Sequence, residues 1–183
     1  MKISKNTSLK KLAILVCDHL KKNGIEAVLS GGAVVTIYSK QLYQSYDLDF
    51  ITLSDRKKIA EAMQELGFIK DKGRYYKHPY AKFFIEFPPG PLAIGEEIIK
   101  SYATHKTSLG TLFLLTPTQC VMDRLCAFYF WNDYQALAQA LLVAKNQKVD
   151  VHTIKLWSYR EGMKDRFGIF LKKLQESMQK NSK

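Results

Sequence analysis

Residues 28–51 read V-L-S-G-G-A-V-V-T-I-Y-S-K-Q-L-Y-Q-S-Y-D-L-D-F-I. The stretch opens as an apolar run, breaks at Gly31-Gly32, and resumes as a short helix-like segment from Ala33 to Tyr38. It ends in Asp47 and Asp49, which alternate with Leu48 and Phe50. Successive strand side chains point to opposite faces, so the two aspartates share one face while Leu48 and Phe50 anchor the other. Two like charges this close are costly unless a cation lies between them. Mg²⁺ favours such a place, where one or two carboxylates, waters and substrate phosphates can surround it. Taken alone, D-L-D-F also fits an exposed strand with two solvated aspartates.

The glycine pair adds to this. Placed after a strand and before a helix, Gly31-Gly32 lets backbone N–H groups approach a phosphate, and the helix N-terminus adds a favourable dipole. Ser30 can donate one more hydrogen bond. By itself the pair also fits an ordinary turn. A third carboxylate, Glu86, sits in the strand-like run Lys82-Phe83-Phe84-Ile85-Glu86-Phe87, where a charge has no packing reason to be. Next to D-L-D-F it completes a metal site; at an edge it faces water. Two-metal phosphoryl and nucleotidyl transfer uses ions about 3.5–4 Å apart. A third carboxylate can then orient or deprotonate the attacking hydroxyl.

Outward from this stretch the chain reads as α/β. Leu9, Leu12, Ala13, Val16, Cys17 and Leu20 fall at helical spacing, with Gly24 as the stop. Ile25 to Leu29 predicts a strand, Ala33 to Tyr38 a helix, and Leu48 to Thr52 a second strand. Ser54 is the expected cap of a helix carrying Ile59, Met63 and Leu66 and closed by Gly67. Residues 68–87 read as strands, and residues 98–115 as a hairpin turning near Ser108–Gly110. Thr116-Pro117 starts a helix. Further helices run from about Asp133 to Val143, from the Asp150 cap, and from Lys164 until fraying at 179–183. The expectation is an α/β (α+β) core with a mixed sheet over residues 1–115, followed by a helical C-terminal region, 116–183, packed on it.

The chain has 183 residues and 46% hydrophobic residues, ordinary for a soluble protein with a sizeable core. No apolar run approaches the roughly 18 residues a bilayer span needs. The run after Lys10-Lys11 is too short for a secretory signal, so a cytoplasmic protein is expected. Cys17, Cys120 and Cys126 form no C-x-x-C pair and read as buried free thiols. The net charge of +11 is unevenly placed. Residues 1–24 hold +5, residues 145–183 hold +6, and the middle is neutral. Ends so charged attract a polyanion such as nucleic acid if they lie beside the site; otherwise they are a solvated lysine-rich surface.

S-G-G, a short helix, S-Y-D-L-D-F and a later I-E-F strand together resemble the nucleotidyltransferase superfamily with the DNA polymerase β-like fold. Within it, the layout looks most like the bacterial AbiEii-type nucleotidyltransferases of toxin–antitoxin and abortive-infection systems. The resemblance covers roughly residues 25–145. It implies that Ser30, Gly31, Gly32 and Ser45 bind nucleotide phosphates and that Asp47, Asp49 and Glu86 bind metal. It aligns the family's K-L-x-A helix with Arg124-Leu125-Cys126-Ala127 and a later aspartate with Asp133. It implies an NTP such as ATP as substrate, Mg²⁺ or Mn²⁺ as cofactor, a hydroxyl acceptor such as RNA or tRNA, and a cognate antitoxin or other protein partner.

Two departures stand out. The family lysine is Arg124, which holds phosphate but is a poor proton donor or acceptor. The third acid is Glu86 rather than aspartate. Arg124 therefore also admits a nucleotide- or partner-binding module without turnover, and transfer to a small molecule is a further alternative. Asp123, Arg124 and Asp133 also fit an ion pair between helices, beside a core of Leu125, Phe128 and Phe130. In the cluster Phe128-Tyr129-Phe130-Trp131 most members read as core, with Tyr129 or Trp131 able to stack on a base.

Overall fold

The computed structural model describes residues 3–71 and 73–179. The tail at 180–183, where fraying is expected, lies outside the described residues. In chain order the elements are α1 (Leu9–Lys22), β1 (Val28–Ser30), α2 (Gly31–Tyr38), β2 (Asp47–Ile51), α3 (Arg56–Glu65), β3 (Ile69–Lys70), β4 (Tyr75–Lys77) and β5 (Phe84–Glu86). A small hairpin follows, β6 (Ala93–Ile94) and β7 (Glu97–Ile98), then β8 (Ala103–Thr107) and β9 (Gly110–Leu114). Four helices complete the described chain: α4 (Pro117–Trp131), α5 (Tyr134–Asn146), α6 (Val151–Arg160) and α7 (Lys164–Gln179).

Among the described residues, seven strands form one mixed sheet in the order β3-β4-β5-β2-β1-β9-β8. The β1/β9 and β2/β5 pairs are parallel, and β1 runs antiparallel to β2. The fold class is thus the expected α/β with a mixed sheet. D-L-D-F occupies the fourth of the seven places, between β5 and β1. Its buried residues are Leu48 and Phe50, while Asp47, Asp49 and Ile51 are partly exposed. That alternation is what a strand with one face on the core requires.

The apolar side chains of both halves join one cluster. Leu12 and Leu20 of α1, Leu29, Leu48, Phe50 and Ile85 of the sheet, and Leu125, Phe128 and Phe170 of the later helices are almost wholly buried within it. Trp157 ties the small hairpin to α6 by donating from Nε1 to the Ile94 carbonyl at 3.3 Å.

Local chemistry explains most element starts. Thr116 and Gln119 form a reciprocal capping box at α4, with Pro117 in the first turn. Asp150 caps α6 and Asp133 caps α5. At α3 the cap is Asp55 instead of the expected Ser54. Its Oδ1 accepts from the Lys57 and Lys58 N–H groups at 2.8 and 3.3 Å, which a serine one residue earlier cannot reach in this turn. The first strand starts at Val28, later than Ile25, because the Ile25 N–H is spent on the Leu20 carbonyl as the chain leaves α1. Residues 68–87 hold three short strands, β3 to β5, and a turn at His78–Ala81 separates β4 from β5. The expected hairpin in residues 98–115 is β8–β9, joined from Thr107 to Gly110. No helix among the described residues is long and apolar enough to cross a membrane.

Candidate active site

Strand register assembles the site. Ser30 of β1 stands opposite Asp49 of β2, and Asp49 stands opposite Glu86 of β5. Asp47 lies two residues before Asp49 on the same face. One carboxylate oxygen from each of Asp47, Asp49 and Glu86 falls within 4.8 Å of the others. Among the described residues this is the one group of three or more acidic, histidine or cysteine ligands that close.

The glycine motif is fitted around these carboxylates. Gly31 opens α2 with φ +68°, and a Cβ there would stand 2.5 Å from Asp49 Oδ2. Glycine alone tolerates both the angle and the proximity. A Cβ on Gly32 would meet Ser45 Oγ at 3.0 Å. Ser45 in turn donates to Asp47 Oδ1 at 2.6 Å, fixing that carboxylate. The Ser30 hydroxyl donates to the Asp49 carbonyl at 3.3 Å and makes no side-chain cap on α2. Ser30 therefore fastens β1 to β2, and the donors this turn offers are backbone N–H groups at the positive end of α2.

Electrostatics favour a cation here. Burial, and then the Asp47 charge, push the Asp49 carboxyl up to about 6, against smaller opposing effects of Arg124 and Arg74. A carboxylate held uncomfortably near a second one is stabilised when a divalent ion neutralises both. Three carboxylates on neighbouring strands also suit Mg²⁺ or Mn²⁺, which prefer oxygen donors. The donor set therefore fits the ion the sequence implies.

Two arginines border the triad. Arg74, from the turn before β4, forms an ion pair through Nε with Glu86 Oε1. The sequence has no signal for it, because a turn residue shows no periodicity and only the register of β4 on β5 brings it to Glu86. Arg124, on α4, donates from Nε and Nη2 to Asp123 Oδ2 at 2.9 and 2.6 Å, and from Nη1 to Gln139 Oε1 at 3.4 Å. Burial works against its charge, but the Asp123 carboxylate outweighs this and raises the guanidinium pKa.

Asp133 does not join the cluster. Its Oδ1 accepts from the Gln135 and Ala136 N–H groups at 2.8 and 3.0 Å, satisfying the start of α5. The residue holding Arg124 is its neighbour Asp123, because the orphan N–H groups of α5 claim the Asp133 carboxylate. Asp133 reaches Arg124 only indirectly, by fixing the helix that carries Gln139. Of the aromatic cluster, Tyr129 is buried with its hydroxyl 2.8 Å from Ser158 Oγ, which removes it from stacking. Phe130, read from sequence as core, is 45% exposed, and Trp131 is 74% exposed. Both lie on the side of the last turn of α4 that borders the cavity lined by Arg124 and Ala127, while Phe128 and Tyr129 of the same turn face the core.

No family model matches this sequence, and no curated protein matches it. Solved structures do match its fold, which is that of nucleotidyltransferase-like proteins. One is an antigenic nucleotidyltransferase-like protein from Paracoccidioides brasiliensis, with TM-score 0.52 and 15% identity over 77% of this chain and 78% of that one. Another is the antibiotic-resistance factor ANT(2'')-Ia, with TM-score 0.52 and 11% identity over 96% of this chain and 98% of that one.

Proposed function

We propose that this protein is a metal-dependent nucleotidyltransferase that moves a nucleoside monophosphate from an NTP to a hydroxyl acceptor. The observation that carries the reading is the convergence of Asp47, Asp49 and Glu86 within 4.8 Å beside a glycine that admits no Cβ. Asp47 and Asp49 would hold the divalent ions, with Glu86 as third ligand or base. Bound Mg²⁺ would neutralise the phosphate charge and polarise the attacked phosphorus. The backbone at Gly31 and Gly32 binds the β- and γ-phosphates, and Ser30 and Ser45 brace the strands that shape the cradle. Arg124, positioned by Asp123, neutralises charge on the leaving pyrophosphate as a fixed cation. Asp133 supports it through α5. The acceptor oxygen forms a bond to the α-phosphorus, the α–β bridging bond breaks, pyrophosphate leaves, and the acceptor proton passes to a carboxylate.

The resemblance to AbiEii-type proteins makes RNA, tRNA among it, the proposed acceptor, and a cognate antitoxin or other protein a partner. Incubation with labelled NTPs, Mg²⁺ and total RNA, comparing wild type with Asp47→Ala/Asp49→Ala, tests the reading. Label transfer that disappears in the double variant supports it. NTP binding without transfer to any acceptor overturns it in favour of a binding module.

A second reading keeps the reaction and changes the acceptor. Glu96, Asp123, Glu161 and Trp131 help line a cavity of about 620 Å³ that also borders Arg124. That volume suits a drug-sized polar molecule. Label recovered in small-molecule fractions, with none on RNA, selects this acceptor class.

A further inference from the structure

Beyond the triad, the structure gathers four lysines around one cavity of about 540 Å³: Lys5, Lys10, Lys40 and Lys82. No acidic side chain lines it, and none of the four makes an ion pair among the described residues. Lys10 lies in the first turn of α1, which carries no acidic residue, so cations sit at the end of a helix that repels them. Lys40 reaches the cavity from a left-handed backbone position, φ 54°, followed by Gln41 at φ 68°. The sequence separates these lysines by up to 77 positions; only folding makes them one patch.

The cavity also borders aromatic surface. Phe83 lines it and lies 6.5 Å, ring centre to ring centre, from Tyr46, which is 65% exposed. Tyr46 immediately precedes Asp47, and Phe84, next after Phe83, pairs with Asp47 across β2 and β5. Unpaired lysines alone would suit any polyanion. Lysines beside the exposed Tyr46 ring, itself set against the partly buried Phe83, suit single-stranded nucleic acid, whose phosphates meet the cations and whose bases stack on an exposed ring. An acidic peptide offers no such stacking.

We propose that the Lys5/Lys10/Lys40/Lys82 cavity binds the phosphate backbone of single-stranded nucleic acid, with exposed Tyr46, backed by Phe83, as the ring on which a base stacks. This binding does not depend on the reading of the triad as the transfer site.

Fluorescence anisotropy with a labelled 12-nucleotide RNA, inorganic polyphosphate and ATP–Mg²⁺ tests the site in the full chain. The quadruple Lys→Ala variant is expected to weaken RNA binding at least tenfold. It should also reduce the salt dependence by about 0.7 in log–log slope for each phosphate that is no longer neutralised. The quadruple Lys→Arg variant, which keeps the charges, should retain binding, and Tyr46→Ala should weaken RNA but not polyphosphate. Circular dichroism checks that each variant folds. Unchanged RNA affinity in the folded Lys→Ala variant overturns the proposal. So does loss of ATP binding with RNA unaffected, which would assign the cavity to the free nucleotide. Asp47→Ala/Asp49→Ala should still bind RNA, so failure of the transfer reading leaves this result intact.

Discussion

The Cβ that Gly31 lacks would stand 2.5 Å from Asp49 Oδ2. Backbone angle and carboxylate position are thus one constraint, since Gly31 also holds φ +68°. Gly31→Ala must displace Asp49 or the start of α2. It should cost about 1–2 kcal/mol of stability through the strained angle alone. Mn²⁺ affinity and nucleotidyl transfer should fall at least tenfold, measured by metal titration alongside thermal melting. A folded variant with wild-type metal affinity would separate the glycine from the site.

Asp49 links stability to pH. Its folded carboxyl titrates at about 6, above the ordinary value of 3.8, because burial and Asp47 disfavour the charge. The folded state therefore holds a proton that the unfolded state releases. In metal-free protein this contribution is favourable below about pH 4 and is lost as pH rises through about 6. Asp49→Asn should stabilise the metal-free protein at pH 8 by on the order of 1–2 kcal/mol and have little effect at pH 4. Melting curves at the two pH values check the sign.

Arg74 and a metal ion compete for Glu86. The ion pair joins an exposed arginine to a buried carboxylate, so its removal leaves Glu86 without a cationic partner and open to a metal ion. Arg74→Ala should tighten Mn²⁺ binding by roughly 3–10-fold, as expected when a nearby like charge is removed from a partly screened site. Isothermal calorimetry reads it directly. Weaker metal binding would show Arg74 orienting Glu86 for the ion instead.

Asp123 and Asp133 should separate by readout. Asp133→Ala removes a helix cap and should lower stability by about 0.5–2 kcal/mol. Asp133→Ser should restore most of it, with transfer per folded molecule little changed. Asp123→Ala instead strips the largely buried Arg124 of its charged partner and should reduce transfer per folded molecule as well as stability. Equal kinetic loss in both would show that α5 placement governs Arg124.

What could be read from sequence was the part governed by near neighbours. Thr116-Pro117 and the aspartates at 133 and 150 announced their helices because capping is decided within four residues. Asp47 and Asp49 announced a common face because strand alternation has period two. Ser54 reads as the cap of α3, but the turn places its neighbour Asp55 where a side-chain oxygen reaches the Lys57 and Lys58 N–H groups. Phe130 reads as core by composition, and which side of the last turn of α4 meets the core decides that it is exposed while Phe128 and Tyr129 are buried. Arg74 and the four converging lysines left no local trace, because sheet order and the packing of α1 bring them together. Arg124 was visible as a charge, but whether Asp123 or Asp133 held it depended on which carboxylate α5 used.

The pairing of Asp49 with Glu86 across β2 and β5 makes the hydrogen-bond ladder the ruler of the site. The spacing of two of its carboxylates is that of adjacent strands, independent of what loops around them. Residues 52–83 could lengthen or shorten without changing the separation, provided β5 re-enters in the same frame. A shift of one residue would instead present Ile85 or Phe87 where Glu86 stands and turn the acid toward the core. For the carboxylate spacing, length variation in the turns of this segment is thus cheap and phase variation fatal, so the parity of the ladder is what selection for a metal centre would act on.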